Sequence, residues 1–343
     1  MSRLNKSKIL IFVLNNLIWV LLLLTIVIFQ MLTPRFLSQR NLLNILEHAS
    51  VLGIMVIGQS IALITGNFDL SAESTLGLTA LIGAWLVTAA GSPSNGSGLE
   101  LNPIVTILIM LVIGAGIGIL NGFLITRLKM NNFIVTLALM IILRGIVMVI
   151  NQGVTISKIN PAFTWLGHDK FLGIPISIIL MLSFFAVFNL IMRSTQFGRD
   201  LYAVGGNRDA AQASGIDTAK RIRQIYVIGG LIAAFSGWIF VGRLGSAVAS
   251  MGQGMIFEIQ AAAVIGGISL FGGRGSMIGA LGGVLLLSSF DSGLALMRVS
   301  AFWIDTVRGA IILLAMIVDA RKVTFLRRQA SSAVTTHAIL KQP

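Results

Sequence analysis

Long apolar runs separated by short polar breaks dominate the chain. Ten can be drawn, at roughly 9–32, 50–65, 74–91, 104–126, 132–151, 171–192, 226–247, 257–271, 276–296 and 303–319. A helix needs about 20 apolar residues to cross a hydrocarbon core ~30 Å thick. The pattern therefore predicts an all-α, polytopic membrane protein of about ten transmembrane helices, and the shorter runs predict broken or tilted ones. Glycines add a second periodicity. Gly114, Gly118 and Gly122 recur every fourth residue, as do Gly275, Gly279 and Gly283. Such stripes let helix backbones approach closely in lipid, where apolar side chains gain nothing by leaving the solvent.

Composition agrees. Hydrophobic residues make up 56% of the 343 positions and charged residues 11%, against about 25% charged in soluble domains. The net charge of +13 does not point to nucleic acid, because the basic residues stand at the ends of apolar runs. With both termini placed in the cytoplasm, seventeen of the 25 lysines and arginines fall in inner segments and five in outer ones, as the positive-inside rule requires. Arg144, Arg243 and Arg308 remain in or beside the runs. The first run is too long for a signal-peptide core and reads as a retained span. There is no cysteine, and His48, His168 and His337 are scattered, which excludes a disulfide framework and argues against a metal cluster. Residues 92–98 read as an outer turn and 329–343 as a tail. The whole chain, 1–343, reads as a single transmembrane domain.

Two segments echo each other. Phe68-Asp69-Leu70-Ser71-Ala72-Glu73-Ser74-Thr75-Leu76-Gly77 and Phe257-Glu258-Ile259-Gln260-Ala261-Ala262-Ala263-Val264-Ile265-Gly266 share a phenylalanine, an acid, an aliphatic residue and a glycine at matching distances. Each opens a predicted span, the first starting inside and the second outside, which is the mark of an inverted repeat. Asn67, Phe68, Asp69, Ser71, Glu73, Phe257, Glu258 and Gln260 are thereby candidates for a translocation path. The plainer reading of Asp69 and Glu258 is helix capping, where an acid satisfies free N–H groups and suits the dipole. Glu73 lies one turn beyond Asp69 and fits a cap less well. Arg144 either pairs with an acid or snorkels. Arg308 stands three residues after Asp305, suited to a local ion pair. Asp291 has no partner that spacing can name.

The longest inner segment, 194–225, contains Gly198-Arg199-Asp200-Leu201-Tyr202-Ala203-Val204-Gly205-Gly206-Asn207-Arg208-Asp209-Ala210-Ala211-Gln212-Ala213-Ser214-Gly215. It predicts a turn at Gly205-Gly206, a cap at Asn207 and a short helix ended by Gly215. A helix so short and so little apolar cannot span; it lies on the cytoplasmic surface, open to a partner. Here the chain resembles ABC-importer permeases: Asp209-Ala-Ala-Gln-Ala-Ser-Gly215 is similar to their Glu-Ala-Ala-x-x-x-Gly loop. More closely it resembles ribose-type sugar permeases, through Asp69-Leu-Ser, Asn121-Gly122, Phe133-Ile-Val-Thr-Leu, Leu143-Arg144-Gly145, Phe197-Gly198-Arg199, Tyr202-Ala-Val-Gly-Gly-Asn207, Gly242-Arg243-Leu244-Gly245-Ser246 and Val264-Ile-Gly-Gly-Ile-Ser-Leu-Phe-Gly-Gly-Arg274-Gly.

That resemblance implies ten helices per subunit and a second permease subunit, identical or paralogous. It implies a cytoplasmic ATP-binding subunit docked on Gly206, Asn207, Asp209, Ala210, Ala211, Ser214 and Gly215, and an extracytoplasmic solute-binding protein. No cofactor is expected on the chain itself. The partner would use ATP, and no Gly-x-x-x-x-Gly-Lys-Ser/Thr phosphate loop occurs here. The expected function is ATP-driven import of a monosaccharide or similar polyhydroxylated solute across the bacterial inner membrane, without covalent chemistry. One departure is notable: Glu73 stands where the family has glycine, which would narrow the path or change its polarity. The alternative is an ion-coupled secondary transporter, which needs convergent acids in mid-membrane.

Overall fold

The computed structural model describes residues 16–300 except 92, together with 302–304, 306–310 and 313. The start of the first predicted run, most of the tenth, Asp305 and the tail 329–343 lie outside the described residues. The helices are α1 Leu17–Leu32, α2 Gln39–Ile64, α3 Ala72–Val87, α4 Pro103–Thr126, α5 Asn132–Asn151, α6 Pro161–His168, α7 Ile176–Ser194, α8 Gln196–Gly206, α9 Arg208–Ala213, α10 Thr218–Leu244, α11 Met255–Ile265 and α12 Met277–Leu296. A small antiparallel hairpin of β1 Lys170–Phe171 and β2 Ile174–Pro175 precedes α7. Among the described residues, α2, α4, α5, α7, α10 and α12 are long and apolar enough to cross a membrane, and α1, α3 and α11 are shorter apolar helices.

Local chemistry explains the boundaries. Asn102 and Asn160 accept the hydrogen bonds of N-caps and are each followed by proline at the first helical position, where its missing N–H costs nothing. Ser38, Asn131, Thr195, Asn207, Asp217 and Ser276 cap six more helices with side-chain oxygens. Three helix starts depart from the apolar runs. Helix α2 begins at Gln39 rather than near 50, since Asn41, Asn44 and His48 form a polar stripe that breaks the run without breaking the helix. Helix α10 begins at Thr218, carrying charged residues in its first turns. The run at 171–192 opens with the hairpin, so its helix starts at Ile176.

Packing sorts the helices into a centre and a rim. From Ala49 onward helix α2 is buried on every face, as a helical stretch apolar all round must be. Helices α4, α5 and α7 bury one stripe and leave residues such as Val112, Val149 and Leu190 exposed, the pattern of a lipid-facing surface. The strongest pairing joins α4 to α10. A Cβ at Gly114 would strike the Gly230 carbonyl, and one at Gly118 the Tyr226 carbonyl, so the stripe works as a backbone-to-backbone seam. Gly279 and Gly283 likewise lie against the carbonyls of Gly266 and Ala262 and seat α12 on α11.

The seam makes a controlled prediction. Gly116 faces open space on the same helix. Gly118→Leu is expected to cost about 1–3 kcal/mol or more through overpacking, with a lowered melting temperature in detergent followed by tryptophan fluorescence. Gly116→Leu should melt like the unaltered protein; equal losses in both would refute the seam.

Candidate translocation and coupling site

Helix α2 stops at Ile64, and the chain turns through Gly66, whose φ of 71° suits glycine. Asn67 is buried; its amide donates to Thr65 Oγ1 at 2.9 Å, and its carbonyl accepts from Asn132 Nδ2 at 2.9 Å. The Phe68 ring packs edge-on against Phe133, and its carbonyl accepts from the Tyr226 hydroxyl at 2.8 Å. Asp69, 6% exposed, accepts from the Ser71 N–H at 3.0 Å and the Ser71 hydroxyl at 2.6 Å. Asn121 Nδ2 donates to that same hydroxyl at 2.8 Å. Asp69 is thus a capping acid, and the loop holding it is tied to α4, α5 and α10.

Glu73 behaves differently. Its Oε2 accepts from the Ile256 N–H at 3.0 Å, and its Oε1 lies 3.9 Å from Arg144 Nη2. Arg144 Nη1 in turn donates to the carbonyls of Ala249 and Met251 at 3.1 and 3.0 Å. The N-termini of α3 and α11 therefore meet inside the helical body, with one carboxylate between them. At 1.5 Å per residue, α3 with 16 residues and α11 with 11 reach only about 24 and 16 Å. Glu73 caps the second short helix across 183 residues of sequence, a role that the spacing around it does not suggest.

The second echo segment is less enclosed. Phe257 is 62% exposed, and Gln260 is half-buried. Glu258 stands in the first turn of α11; its Oε1 lies 2.5 Å from Arg308 Nη1, and Arg308 Nη2 lies 3.0 Å from Asp291 Oδ2. Asp291 thereby gains the partner that spacing could not name, while Asp305 lies outside the described residues. Two large cavities lie at opposite ends of α2. One of about 530 Å³ is lined by Asn41, Asn44, His48, Arg243, Asp291 and Arg308. The other, about 800 Å³, is lined by Thr65, Asn67, Asn132, Gly205, Asn207 and Gln212. Between them Gln59, Asp69 and Tyr226 line a space of only about 10 Å³, closed to any solute. Gln59 is 3% exposed, and its amide lacks a hydrogen-bond partner among the described residues. It escaped the sequence reading, though a lone polar residue inside an apolar run is a usable signal.

The candidate coupling segment, 194–225, is anchored at its base and open at its tip. Asp200 Oδ2 accepts from Arg221 Nε and Nη2 at 2.9 and 2.6 Å, and the Tyr202 hydroxyl donates to the Gly275 carbonyl at 2.8 Å. Burial raises the Tyr202 pKa against the opposing pull of Arg193, keeping that donor protonated. Gly205 and Gly206 end α8 instead of forming a turn. A Cβ on Gly205 would overlap the Ile64 carbonyl, which itself accepts from the Gly273 N–H at 2.8 Å. Asn207 accepts from the Ala210 N–H at 2.9 Å and caps α9. Gly206, Asn207, Asp209, Ala210, Ser214 and Gly215 are exposed, and Gly215 has a φ of 85°. Ala211 is the exception: at 4% exposed it faces its own chain and is closed to a partner.

Two short helices meeting head to head in an apolar bundle, with polar cavities at either end, define a multi-pass membrane permease. The chain belongs to the family described as branched-chain amino acid transport system / permease component, whose model matches residues 41–316. It is 37% identical over 308 residues to the ribose import permease protein RbsC of Escherichia coli K12, covering 88% of this chain and 92% of that one. It is 36% identical over 303 residues to RbsC of Bacillus subtilis 168, covering 88% and 91%. To the galactose/methyl galactoside import permease protein MglC of E. coli K12 it is 35% identical over 336 residues, covering 94% and 98%. No solved structure matches the chain.

The Glu73 geometry predicts the effect of placing glycine there. Glu73→Gly removes the acceptor for Ile256 and should cost about 1–3 kcal/mol, the penalty for orphaning a buried donor. Glu73→Gln keeps an acceptor and should lose less. Thermal unfolding in detergent, with limited proteolysis of residues 245–254, reads both. Equal stability in all three proteins would remove the capping role.

Proposed function

We propose that the chain is the permease subunit of an ATP-driven importer that moves a monosaccharide or similar small polyhydroxylated solute across the inner membrane. The observation that carries this reading is the exposed helix Arg208–Ala213, backed by a glycine packed on the loop that opens toward Asp69 and on the loop that follows α11. A transporter driven from outside itself needs such a contact. Import of ribose and of galactose or methyl galactoside by the relatives supports the solute class.

On this reading the whole chain, 1–343, is one permease domain with 194–225 as its coupling loop. It crosses the membrane ten times around an inverted-repeat core, with both termini in the cytoplasm. A cytoplasmic ATP-binding subunit, an extracytoplasmic solute-binding protein and a second permease subunit complete the machine. ATP is used by the partner, and this chain binds no cofactor. The solute path runs past Asn67, Phe68, Asp69, Ser71 and Glu73 and past Phe257, Glu258 and Gln260. Ion-coupled transport is disfavoured, because Asp69 and Glu73 are committed to capping, and Glu258 and Asp291 to Arg308.

Two experiments test the reading. Ala210 is exposed where Ala211 is not, so Ala210→Trp adds bulk to the docking face without disturbing the fold. It is expected to leave permease abundance unchanged, reduce ATP-driven uptake at least tenfold (about 1.4 kcal/mol of coupling) and weaken co-purification of the ATP-binding subunit. Full uptake and normal ATPase stimulation would place coupling elsewhere. For topology, Leu99 is 60% exposed and the chain has no cysteine. Leu99→Cys should react with an impermeant thiol reagent in intact spheroplasts while Ser214→Cys stays silent; the reverse pattern would invert the orientation.

A further inference from the structure

A third cavity, of about 470 Å³, lies at the base of the coupling segment, where α7 ends, α8 begins and α12 starts. Asn189, Arg193, Arg199, Tyr202 and Ser276 line it, together with the buried Met192 and Met277. Arg199 and Tyr202 stand one turn apart on α8 and so share a face. The Tyr202 hydroxyl donates to the Gly275 carbonyl at 2.8 Å, which ties α8 to the start of α12 and fixes one wall. Ser276 Oγ accepts from the Gly279 N–H at 3.0 Å. Its own O–H has no acceptor among the described residues and can serve a ligand.

The two arginines have no acid to answer them. Among the described residues neither is in an ion pair, and no acid lines the cavity. Asp200, beside Arg199 in the chain, is held by Arg221. Arg199 Nη1 donates only to the Ser194 carbonyl, at 3.3 Å. The cavity therefore joins two unanswered guanidinium groups with the neutral donors of Asn189 and Ser276. That set suits a phosphate, whose oxygens match the planar guanidinium fork.

The surface beside the cavity selects among phosphates. Ile179, Leu182, Ala186 and Leu190 are exposed along one face of α7, and Arg193 continues that face at its end. Ile278, next to Met277 on the other wall, is exposed as well. A stripe that is apolar along the helix and basic at its end matches a phospholipid, with acyl chains on Leu182 to Leu190 and the phosphate at Arg193. A soluble phosphate or a partner's acidic side chain would make no use of the apolar stretch. Choline or ethanolamine headgroups carry a cation that finds no acid here, so the site favours a headgroup of net negative charge.

We infer that this cavity binds the headgroup of an anionic phospholipid of the phosphatidylglycerol kind, with Arg193 and Arg199 on the phosphate and Asn189 and Ser276 on its oxygens or the glycerol. Basic pockets between spanning helices on the cytoplasmic side bind such headgroups, and the volume is within the usual range of ligand pockets, about 300–1,000 Å³. The inference rests on the importer reading for its side: the leaflet is the cytoplasmic one because the coupling segment is cytoplasmic. A lipid held there bridges α7, α8 and α12 at the place where a push on α9 enters the bundle.

The test uses the full-length permease, delipidated in detergent and titrated with dioleoyl phosphatidylglycerol or dioleoyl phosphatidylcholine under native mass spectrometry. One phosphatidylglycerol should be retained per chain, about tenfold or more tighter than phosphatidylcholine. Arg193→Gln combined with Arg199→Gln should weaken it about thirtyfold, at about fivefold for each arginine. The charge-matched pair Arg127→Gln with Lys129→Gln, exposed just beyond α4, should leave it nearly unchanged. Equal losses in both pairs would reduce the binding to diffuse surface attraction and sink the site, as would equal retention of the two lipids. Displacement of the lipid by excess sn-glycerol 3-phosphate would make the ligand a soluble phosphate and overturn the lipid. Loss of the co-purifying ATP-binding subunit from the Arg193/Arg199 pair, with phosphatidylglycerol retention intact, would assign the arginines to a protein contact instead. ATP-driven uptake of D-ribose and D-galactose by the unaltered complex in vesicles is measured alongside. Uptake without lipid selectivity refutes the lipid site and leaves the importer reading standing. Lipid selectivity without ATP-driven uptake of either sugar removes the importer reading and leaves the headgroup site in place.

Discussion

A backbone N–H that loses its helical partner inside an apolar bundle must find another acceptor, because no water is at hand to replace it. This protein creates that problem twice, where α3 and α11 begin inside the molecule instead of at its edge. It solves it with carboxylates: Asp69 takes the Ser71 N–H, and Glu73 reaches across to the Ile256 N–H. Negative charge also suits the positive ends of the two helix dipoles. Arg144 then completes the arrangement by holding the carbonyls of Ala249 and Met251, so the loop approaching α11 has its acceptors met as well. The short helices, the loops that feed them and the space between the two large cavities all depend on this set of bonds.

The same junction explains why glycine is concentrated near the coupling segment. The base of that segment touches the molecule through backbone, with Gly205 on the Ile64 carbonyl and Gly272 and Gly273 beside it. A side chain at these places would open a gap, and a flexible gap transmits displacement poorly. The Asp200–Arg221 pair and the Tyr202–Gly275 bond fix α8 to α10 and to the start of α12. A push on α9 would therefore reach the loop carrying Asp69 and the loop following α11 through rigid contacts.

How much of this could be read from the sequence depends on whether the partner was near in the chain. The apolar runs, the glycine stripe of α4, the caps at Asn207 and Gly215 and the capping nature of Asp69 all rest on neighbours within a few residues, and all were legible. Glu73 was not: its partner lies 183 residues away, so a close reading saw a bulky acid in a path and missed a cap. Arg144 was legible only as an either-or, and Asp291 as a charge without a partner. Glycine's poor helix propensity suggested a turn at Gly205-Gly206, but close packing on Ile64 demanded glycine inside a helix and prevailed. The polar stripe at Asn41, Asn44 and His48 hid the first three turns of α2, since the residues that line a cavity are those that interrupt an apolar run.

The ion pairs at the other end of α2 raise a question of energy. Burying charges costs several kcal/mol per ion before pairing returns anything, and an apolar replacement is often as stable. Stability alone thus gives no account of Glu258, Asp291 and Arg308. Their placement does: one guanidinium joins α11 to α12 and to the segment beyond it, linking a helix that abuts Glu73 with the wall of the cavity beside His48. On the importer reading, the state seen here is closed in the middle, with about 10 Å³ beside Asp69 and room at both ends. Opening requires α3 and α11 to part or slide, and any such motion carries Glu258 with it. The Arg308 pairs would then be exchanged or stretched, so the position of α11 and the wall beside His48 share one set of charges.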